Sequence, residues 1–178
     1  LTIFSTLNNR GLPLSDADIF KAKIYNNLKT KEERKNFIDE WKELDENAKA
    51  AGESIQSLFY YYMFYLRAQA DDKKTTTPGI RKFFLDKTER LFDKEILKKL
   101  NKILNIWYVI KRKEEIEEEP WSKDINIRKV LDILTSYPNE FWKYPVVIYY
   151  MVNSNKENFA EEFLLFLKKL ASKLILKY

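Results

Sequence analysis

Hydrophobic residues recur along this chain at the three- and four-residue spacing that places them on one face of a helix. Residues 37–48, 96–110 and 159–174 carry the clearest stripes. Residues 58–66 (LFYYYMFYL) are apolar on every side, which is typical of a helix that other helices surround. The pattern therefore predicts an all-α fold, with residues 58–66 as its central buried helix.

Start and stop signals divide this pattern into about seven to nine helices, which we expect to pack as a single orthogonal bundle. One domain is predicted to include residues 1–178. The earlier predicted helices span residues 1–9, 16–28, 30–52, 54–70 and 80–85.

Polar residues and prolines predict where the later helices begin. Asp93 is expected to cap a helix over 93–113, and Pro120 and Ser122 to introduce one over about 123–137. Pro138 is expected to start a helix that either kinks at Pro145 or gives way there to a new helix. Asn155 is the predicted cap of the last helix.

Two segments leave an alternative open. Residues 60–62 are three successive tyrosines, which could form a stacking platform for bases, although their apolar neighbours favour a buried helix. Residues 146–152 (VVIYYMV) have a high strand propensity. They lack the alternation of a strand and their neighbours are helical, so we predict a buried helix there too.

Glycine and proline are scarce, at 3 and 5 residues, whereas charged residues make up 33% of the chain. Such a composition predicts helices joined by few loops, and the evident long one is the polar segment 70–79 (ADDKKTTTPG). The chain is long enough to bury a proper core. It opens on LTIF without a helix cap and closes without a stop signal, so we expect an internal piece of a larger protein.

The stretch 7–21 (LNNRGLPLSDADIFK) has the residues of a helix end, a turn and a helix start. Gly11 is expected just past a helix C-terminus, in the left-handed conformation that glycine enters cheaply. Pro13 cannot continue a helix and fixes the turn. Ser15 is placed to cap the next helix, with Asp18 as its capping-box partner. These four residues are predicted to be structural.

Asn8 and Arg10 are not required by these rules for turns. They lie on the last turn of the first predicted helix, at the rim of a tight turn. Their side chains could bond the free carbonyl groups of that helix end, or they could point at another molecule. The residues alone leave both interpretations open.

The segment 3–25 (IFSTLNNRGLPLSDADIFKAKIY) resembles the ParB/sulfiredoxin-like family found in GmrSD-type, modification-dependent restriction endonucleases. Members of that family have an aromatic residue, LNxRG, a hydrophobic turn, LSxAD and a lysine. The matching positions here are Phe4, Leu7, Asn8, Arg10, Gly11, Leu14, Ser15, Ala17, Asp18 and Lys21.

The resemblance implies a larger protein around this chain. Family members carry a DGQQR motif in an upstream half associated with nucleotide binding and hydrolysis, and many carry an HNH nuclease domain downstream. This chain has neither a DGQQR sequence nor a histidine, so neither site lies within it. Residues 1–28 would join the nucleotide-binding half, and residues 29–178 would form a helical bundle. Asn8, Arg10 and Lys21 would then face a nucleotide or its phosphates, since a guanidinium suits phosphate oxygens.

Basic residues outnumber acidic ones by 32 to 27, and the net charge of +5 permits contact with nucleic acid without demanding it. The predicted helix 93–113 has the largest basic face, on which Lys94, Lys98 and Lys102 are candidate DNA contacts. Such phosphate contacts would be weak and salt-sensitive. The alternative is a solvated face, and the acidic run 114–119 (EEIEEE) that follows would repel DNA.

The composition excludes several kinds of chemistry. The absence of cysteine and histidine rules out a thiol nucleophile, a disulfide and a structural zinc site. Three scattered glycines cannot form a phosphate-binding loop, and the longest apolar run, 58–66, is too short to cross a bilayer. We therefore predict no catalytic residue, no metal site and no cofactor in this chain, no membrane partner and a cytoplasmic location, although the parent protein could use a nucleotide with magnesium.

Two functions from different classes are consistent with the sequence. The first is a helical module of a GmrSD-type restriction or phage-defence protein, which couples a nucleotide-binding half to a nuclease half. Its partners would be those neighbouring domains and, weakly, DNA. The second is a non-catalytic helical scaffold or protein-interaction domain, in which the LNNRG turn is a well-built corner.

Overall fold

A computed structural model describes residues 13–176, which form eight α-helices and two short 3₁₀ helices and contain no strand. The prediction of an all-α fold with seven to nine helices is confirmed. The α-helices are α1 (Asp16–Asn27), α2 (Lys31–Ala50), α3 (Ile55–Gln69), α4 (Ile80–Asp86), α5 (Ile96–Arg112), α6 (Ile125–Thr135), α7 (Lys143–Asn153) and α8 (Phe159–Ile175). The 3₁₀ helices are Thr88–Leu91 and Pro120–Lys123.

The chain divides into two compact units. Of the described residues, the first unit includes 13–63 and 73–100, and the second includes 64–72 and 101–176. Helices α3 and α5 each supply residues to both units.

Local sequence sets the ends of the helices in the first unit. Thr30 and Glu33 form a capping box at the start of α2, in which the Thr30 hydroxyl accepts from the Glu33 backbone N–H. The same helix ends at Gly52, which has a φ of 71°. The Gly52 and Glu53 backbone N–H groups donate to the carbonyls of Lys49 and Ala48, at 3.0 and 2.8 Å. This is a Schellman ending, which requires the left-handed backbone that glycine adopts at least cost.

Aromatic rings form the core of the first unit. The Phe20 ring lies 4.8 Å from that of Phe59 and 5.1 Å from that of Phe84, measured between centroids. Phe59 and Phe84 meet edge to face at 5.4 Å, and Trp41 lies 6.1 Å from Phe59. Since offset and edge-on ring pairs stabilise beyond their buried area, this cluster fixes α1, α2, the first part of α3 and α4 against one another.

Aromatic residues from α7, α8 and the second 3₁₀ helix build the core of the second unit. Trp121 contacts both Tyr150 and Phe163 edge to face, at 5.4 and 5.5 Å between ring centroids. Tyr149 stacks on Phe166 at 4.2 Å. The segment 146–152 is helical, so the prediction of a helix there is confirmed. Its burial is partial: Val146, Val147 and Tyr150 are fully buried, whereas Val152 is 52% exposed.

The aromatic segment 58–66 lies within α3, and most of it is buried as predicted. Phe59 and Met63 are both fully inaccessible to solvent. Tyr61 and Tyr62 are also buried, whereas Tyr60 is half-buried. Burial of this kind favours a core role for these tyrosines over a stacking platform.

Two predicted helix starts differ from the structure because extra turn residues intervene. Helix α5 begins at Ile96, and the Asp93 carboxylate accepts from the backbone N–H of Glu95, two residues on, in a turn before the helix. Helix α6 begins at Ile125, two residues later than predicted, and is capped by Asp124. Ser122 is buried, and its hydroxyl accepts from the Ile116 N–H at 2.8 Å and donates to the Ile116 carbonyl at 3.1 Å.

The last two helices also start later than the sequence suggested. Helix α7 begins at Lys143, after Phe141 and Trp142, so a new helix forms in place of a kinked one. Pro145 lies in the first turn of α7, where a missing N–H costs no helical hydrogen bond. Helix α8 begins at Phe159, so Asn155 is not its cap.

Candidate functional site

The structure describes part of the predicted turn. Pro13, Ser15, Asp18 and Lys21 are among the described residues. The remaining predicted residues of the turn, Asn8, Arg10 and Gly11, lie outside them.

Ser15 and Asp18 form the capping box at the start of α1. The Ser15 hydroxyl accepts from the Asp18 backbone N–H at 3.1 Å. In return, the Asp18 carboxylate accepts from the Ser15 backbone N–H at 3.2 Å and from its hydroxyl at 2.7 Å. The Asp18 side chain therefore satisfies the polar groups of this corner.

Arg81, near the start of α4, holds the turn from the other side. Its Nε donates to Asp16 Oδ1 at 2.6 Å, and its second guanidinium nitrogen donates to the Leu14 carbonyl at 3.3 Å. Sequence reasoning missed Arg81, because these contacts join residues that are 65 and 67 positions apart. Arg81 is the second residue of a short helix, and nothing in the local sequence indicates that its side chain reaches the turn.

A surface depression of about 640 Å³ lies beside this corner. It brings together Ser15, Asp18 and Lys21 of the motif with Trp41 and Lys42 from α2. The start of α3, residues 54–56, completes its lining. The Lys21 ammonium lies 5.9 Å from the centre of the Trp41 ring, within the range of a cation–π contact.

Lysines set the charge that this depression offers to a ligand. Its two carboxylates are already engaged, Asp18 by Ser15 and Asp45 by Lys49 at 2.7 Å. Within residues 13–176, neither Lys21 nor Lys42 forms an ion pair. The depression therefore presents two ammonium groups to solvent, an arrangement that suits an anionic ligand.

The three candidate DNA contacts have different surroundings. Lys94 is exposed and lies in the turn before α5. Lys98 is 83% exposed, with its Nζ 3.4 Å from a Glu95 carboxylate oxygen. Lys102 is half-buried and lies 5.4 Å from the centre of the Tyr150 ring. Lys94 and Lys98 belong to the first unit and Lys102 to the second, and their role in DNA binding stays a prediction.

A half-buried polar cluster in the second unit was not predicted. Glu119, the last residue of the acidic run, accepts hydrogen bonds from the Tyr150 hydroxyl, the Trp121 Nε1–H and, at 3.2 Å, the Asn105 amide. Burial, followed by the neighbouring Glu119 carboxylate, raises the pKa of Tyr150 far above its ordinary value. Three donors on one carboxylate satisfy the cluster internally, so it stabilises the fold.

No group of His, Cys, Asp and Glu side chains within residues 13–176 has an arrangement that could hold a metal ion. In the same range, each helix is too short or too polar to cross a membrane. Comparisons with protein-family models, curated proteins and solved structures find no match to this chain.

Proposed function

We propose that this chain is a helical module of a GmrSD-type restriction or phage-defence protein, which couples a nucleotide-binding half to a nuclease half. The proposal rests on the resemblance of residues 3–25 to the ParB/sulfiredoxin-like family. In this role the chain holds no catalytic residue of its own. The parent protein would supply the nucleotide, the magnesium ion and the nuclease, in the cytoplasm.

The observation that carries the proposal is the lining of the depression beside the turn. Four residues that match the family pattern line it together: Ser15, Ala17, Asp18 and Lys21. The two carboxylates in the lining are engaged by Ser15 and Lys49, whereas Lys21 and Lys42 form an ion pair with no described residue. A phosphate-bearing ligand or an acidic surface of the neighbouring half would be attracted by this charge.

The proposed roles of the motif residues differ. Ser15 and Asp18 hold the corner through their capping box, with Arg81 as a third support. Lys21 supplies a positive charge that the Trp41 ring positions. Asn8 and Arg10, which lie outside the described residues, are proposed to contact the same partner.

A plaque assay in cells that carry the complete parent gene tests this role. Lys21→Ala is expected to reduce protection against phage by tenfold or more, because the proposed phosphate contact contributes about 1.5–3 kcal/mol. Lys23→Ala is the matched control, since Lys23 is exposed on the same helix and does not line the depression. Equal melting temperatures of the two purified variants would show that folding is unaffected. Full protection by the Lys21→Ala variant would contradict the proposal.

The second candidate function is a non-catalytic helical scaffold or interaction domain. The hydrogen bonding at the corner favours it, because Ser15, Asp18, Asp16 and Arg81 are all used to stabilise the turn. In that case the Lys21→Ala and Lys23→Ala variants would protect cells against phage equally well. A substitution that disrupts the capping box of Ser15 and Asp18 would then affect function only through folding.

A further inference from the structure

A second cavity, of about 530 Å³, lies in the first unit and shares no lining residue with the depression at the turn. The end of α1, one side of α2 and residues 91–97 form its walls. Phe37 and Phe92 supply aromatic surface, and Ile24 and Leu97 supply aliphatic surface. The volume lies within the range of small-molecule sites in proteins and exceeds what one nucleobase needs.

Polar groups suited to hydrogen bonding lie among these apolar walls. Asn27 closes α1, while Asn36 and Glu40 lie one turn apart on α2. Neither asparagine carboxamide has a hydrogen-bond partner among the described side chains and backbone groups. A carboxamide offers a donor and an acceptor side by side, which is the pairing that an adenine edge requires.

The charges along this cavity divide into engaged and available groups. The Glu33 carboxylate accepts from the backbone N–H groups of Lys29 and Thr30, at 3.0 and 3.1 Å. Asp93 pairs with Lys99. Among residues 13–176, the ammonium groups of Lys29 and Lys94 take part in no ion pair. Backbone hydrogen bonds from Thr30 and Lys29, and more weakly the charge of Lys94, lower the pKa of Glu33. Lys94 therefore already acts on a carboxylate of the lining, although neither lysine forms an ion pair with a described residue, and the same cavity carries two carboxamides.

We propose that this cavity binds one nucleotide unit. The base would contact the apolar walls, with Asn27 and Asn36 at its hydrogen-bonding edge and Lys29 and Lys94 at its phosphate. Glu40 would accept a hydrogen bond from an exocyclic amino group, which favours adenine and cytosine over thymine. The same chemistry fits a free nucleotide or an unstacked nucleotide of a single strand. The site is separate from the coupling role proposed above and does not depend on it.

Binding of the complete chain to two kinds of probe tests the proposal. Fluorescence anisotropy would follow a labelled oligo-dC strand, and calorimetry would follow dCMP. Asn36→Leu is expected to weaken binding of whichever probe binds by about tenfold, because an apolar group leaves the base edge unpaired. Lys29→Gln together with Lys94→Gln is expected to reduce the salt dependence of strand binding by about 0.7 per lost phosphate contact.

Matched controls separate the cavity from the general surface. Asn26→Leu changes an exposed asparagine of α1 outside the cavity, and Lys23→Gln with Lys35→Gln removes two exposed lysines from α1 and α2. Both controls are expected to bind like the unmodified chain. If dCMP binds, a free nucleotide is sufficient as the ligand. If oligo-dC binds and dCMP does not, the ligand is a nucleotide within a single strand. Either result supports the site. Binding of neither probe, or equal losses in the controls, would overturn it.

The preference for an amino group gives an independent readout. Oligo-dC should bind more tightly than oligo-dT, and Glu40→Gln should reduce that difference, because a carboxamide is a weaker acceptor than a carboxylate. Glu40 is exposed on α2, so folding should be unchanged. Equal affinity of the unmodified chain for the two strands would contradict the role of Glu40.

Discussion

Arg81 and Asp16 join the start of α4 to the start of α1, with 2.6 Å between the arginine Nε and the aspartate Oδ1. Sixty-five positions separate the two residues in sequence. The second contact, from the same guanidinium to the Leu14 carbonyl at 3.3 Å, fixes the backbone immediately before the cap. The turn is therefore held both by its own capping box and by a distant arginine.

Arg81→Ala is expected to loosen the turn with little change in global stability. The Arg81 side chain is 55% exposed, so the ion pair should contribute no more than about 1 kcal/mol to unfolding. Hydrogen exchange should become faster at the backbone amides of residues 14–18. Lys82→Ala is the control, because it removes an exposed ion pair with Asp86 in the same helix. Equally fast exchange in both variants would show that Arg81 does not hold the turn.

Gly52→Ala is expected to destabilise the protein by about 1 kcal/mol, because alanine is strained at a φ of 71°. Gly79→Ala is the matched change, since Gly79 has no atom within 4 Å of an added Cβ and has a φ of −62°. Gly79 is the N-cap of α4, where glycine is preferred to alanine, and this offsets the entropic gain, so that variant should change stability by less than about 0.5 kcal/mol. Urea unfolding of the two variants measures the difference, and equal stabilities would contradict the Schellman ending.

Tyr150→Phe is expected to destabilise the protein by about 1–3 kcal/mol at neutral pH, since Glu119 loses one of its buried donors. The raised pKa of Tyr150 has a second consequence. Because the folded state holds the neutral phenol, its contribution to stability is complete below the ordinary pKa of 10.0 and is lost as pH rises beyond it.

Denaturant unfolding across the alkaline range checks this prediction. The unmodified protein should lose stability above about pH 10, and Tyr150→Phe should show a shallower loss. Tyr25→Phe is a suitable control, because Tyr25 lies in the first unit and takes no part in the cluster. Identical pH dependence in the unmodified protein and the Tyr150→Phe variant would show that this phenol does not control alkaline unfolding.

Lys98→Glu and Lys102→Glu are expected to differ in stability. Lys98 is 83% exposed, so its replacement should change unfolding by less than about 0.5 kcal/mol. Lys102 lies over the Tyr150 ring, beside the Glu119 cluster, so a carboxylate there adds like-charge repulsion and should cost more. Melting temperatures measure both effects. If the lysines also contact DNA, each variant should bind more weakly, with a smaller salt dependence; unchanged binding would mean that this face is merely solvated.

Local sequence predicted the first described helices well. Ser15 with Asp18, and Thr30 with Glu33, are caps whose partners lie three residues on, so α1 and α2 begin where the sequence indicates. The error at Asp93 has an observed cause: its carboxylate accepts a hydrogen bond within the turn before the helix, and a polar residue can close such a turn as well as cap a helix. Sequence spacing does not distinguish these uses.

The candidate sites depend on distant contacts, and the sequence could not predict those. Ser15, Asp18 and Lys21 were predicted from their own segment, but Trp41 and Lys42 join them only through the packing of α2. Glu119 belongs to an acidic run that suggests solvent exposure, yet it is half-buried and accepts a hydrogen bond from a tyrosine 31 positions away. Contacts of this kind depend on which helices pack against one another, and the spacing of residues within one segment does not indicate that.

The placement of Trp41 gives this protein a built-in optical reporter. The chain has four tryptophans, and Trp41 is the one in the first unit, within the described ranges 13–63 and 73–100. It is 6% exposed and lines the depression beside Lys21. Its emission should therefore be blue-shifted in the native protein, and a ligand that displaces the Lys21 ammonium from the indole should change its intensity. Quenching of Trp41, measured as the difference in emission between the unmodified protein and a Trp41→Phe variant, would report occupancy of that depression without any attached label.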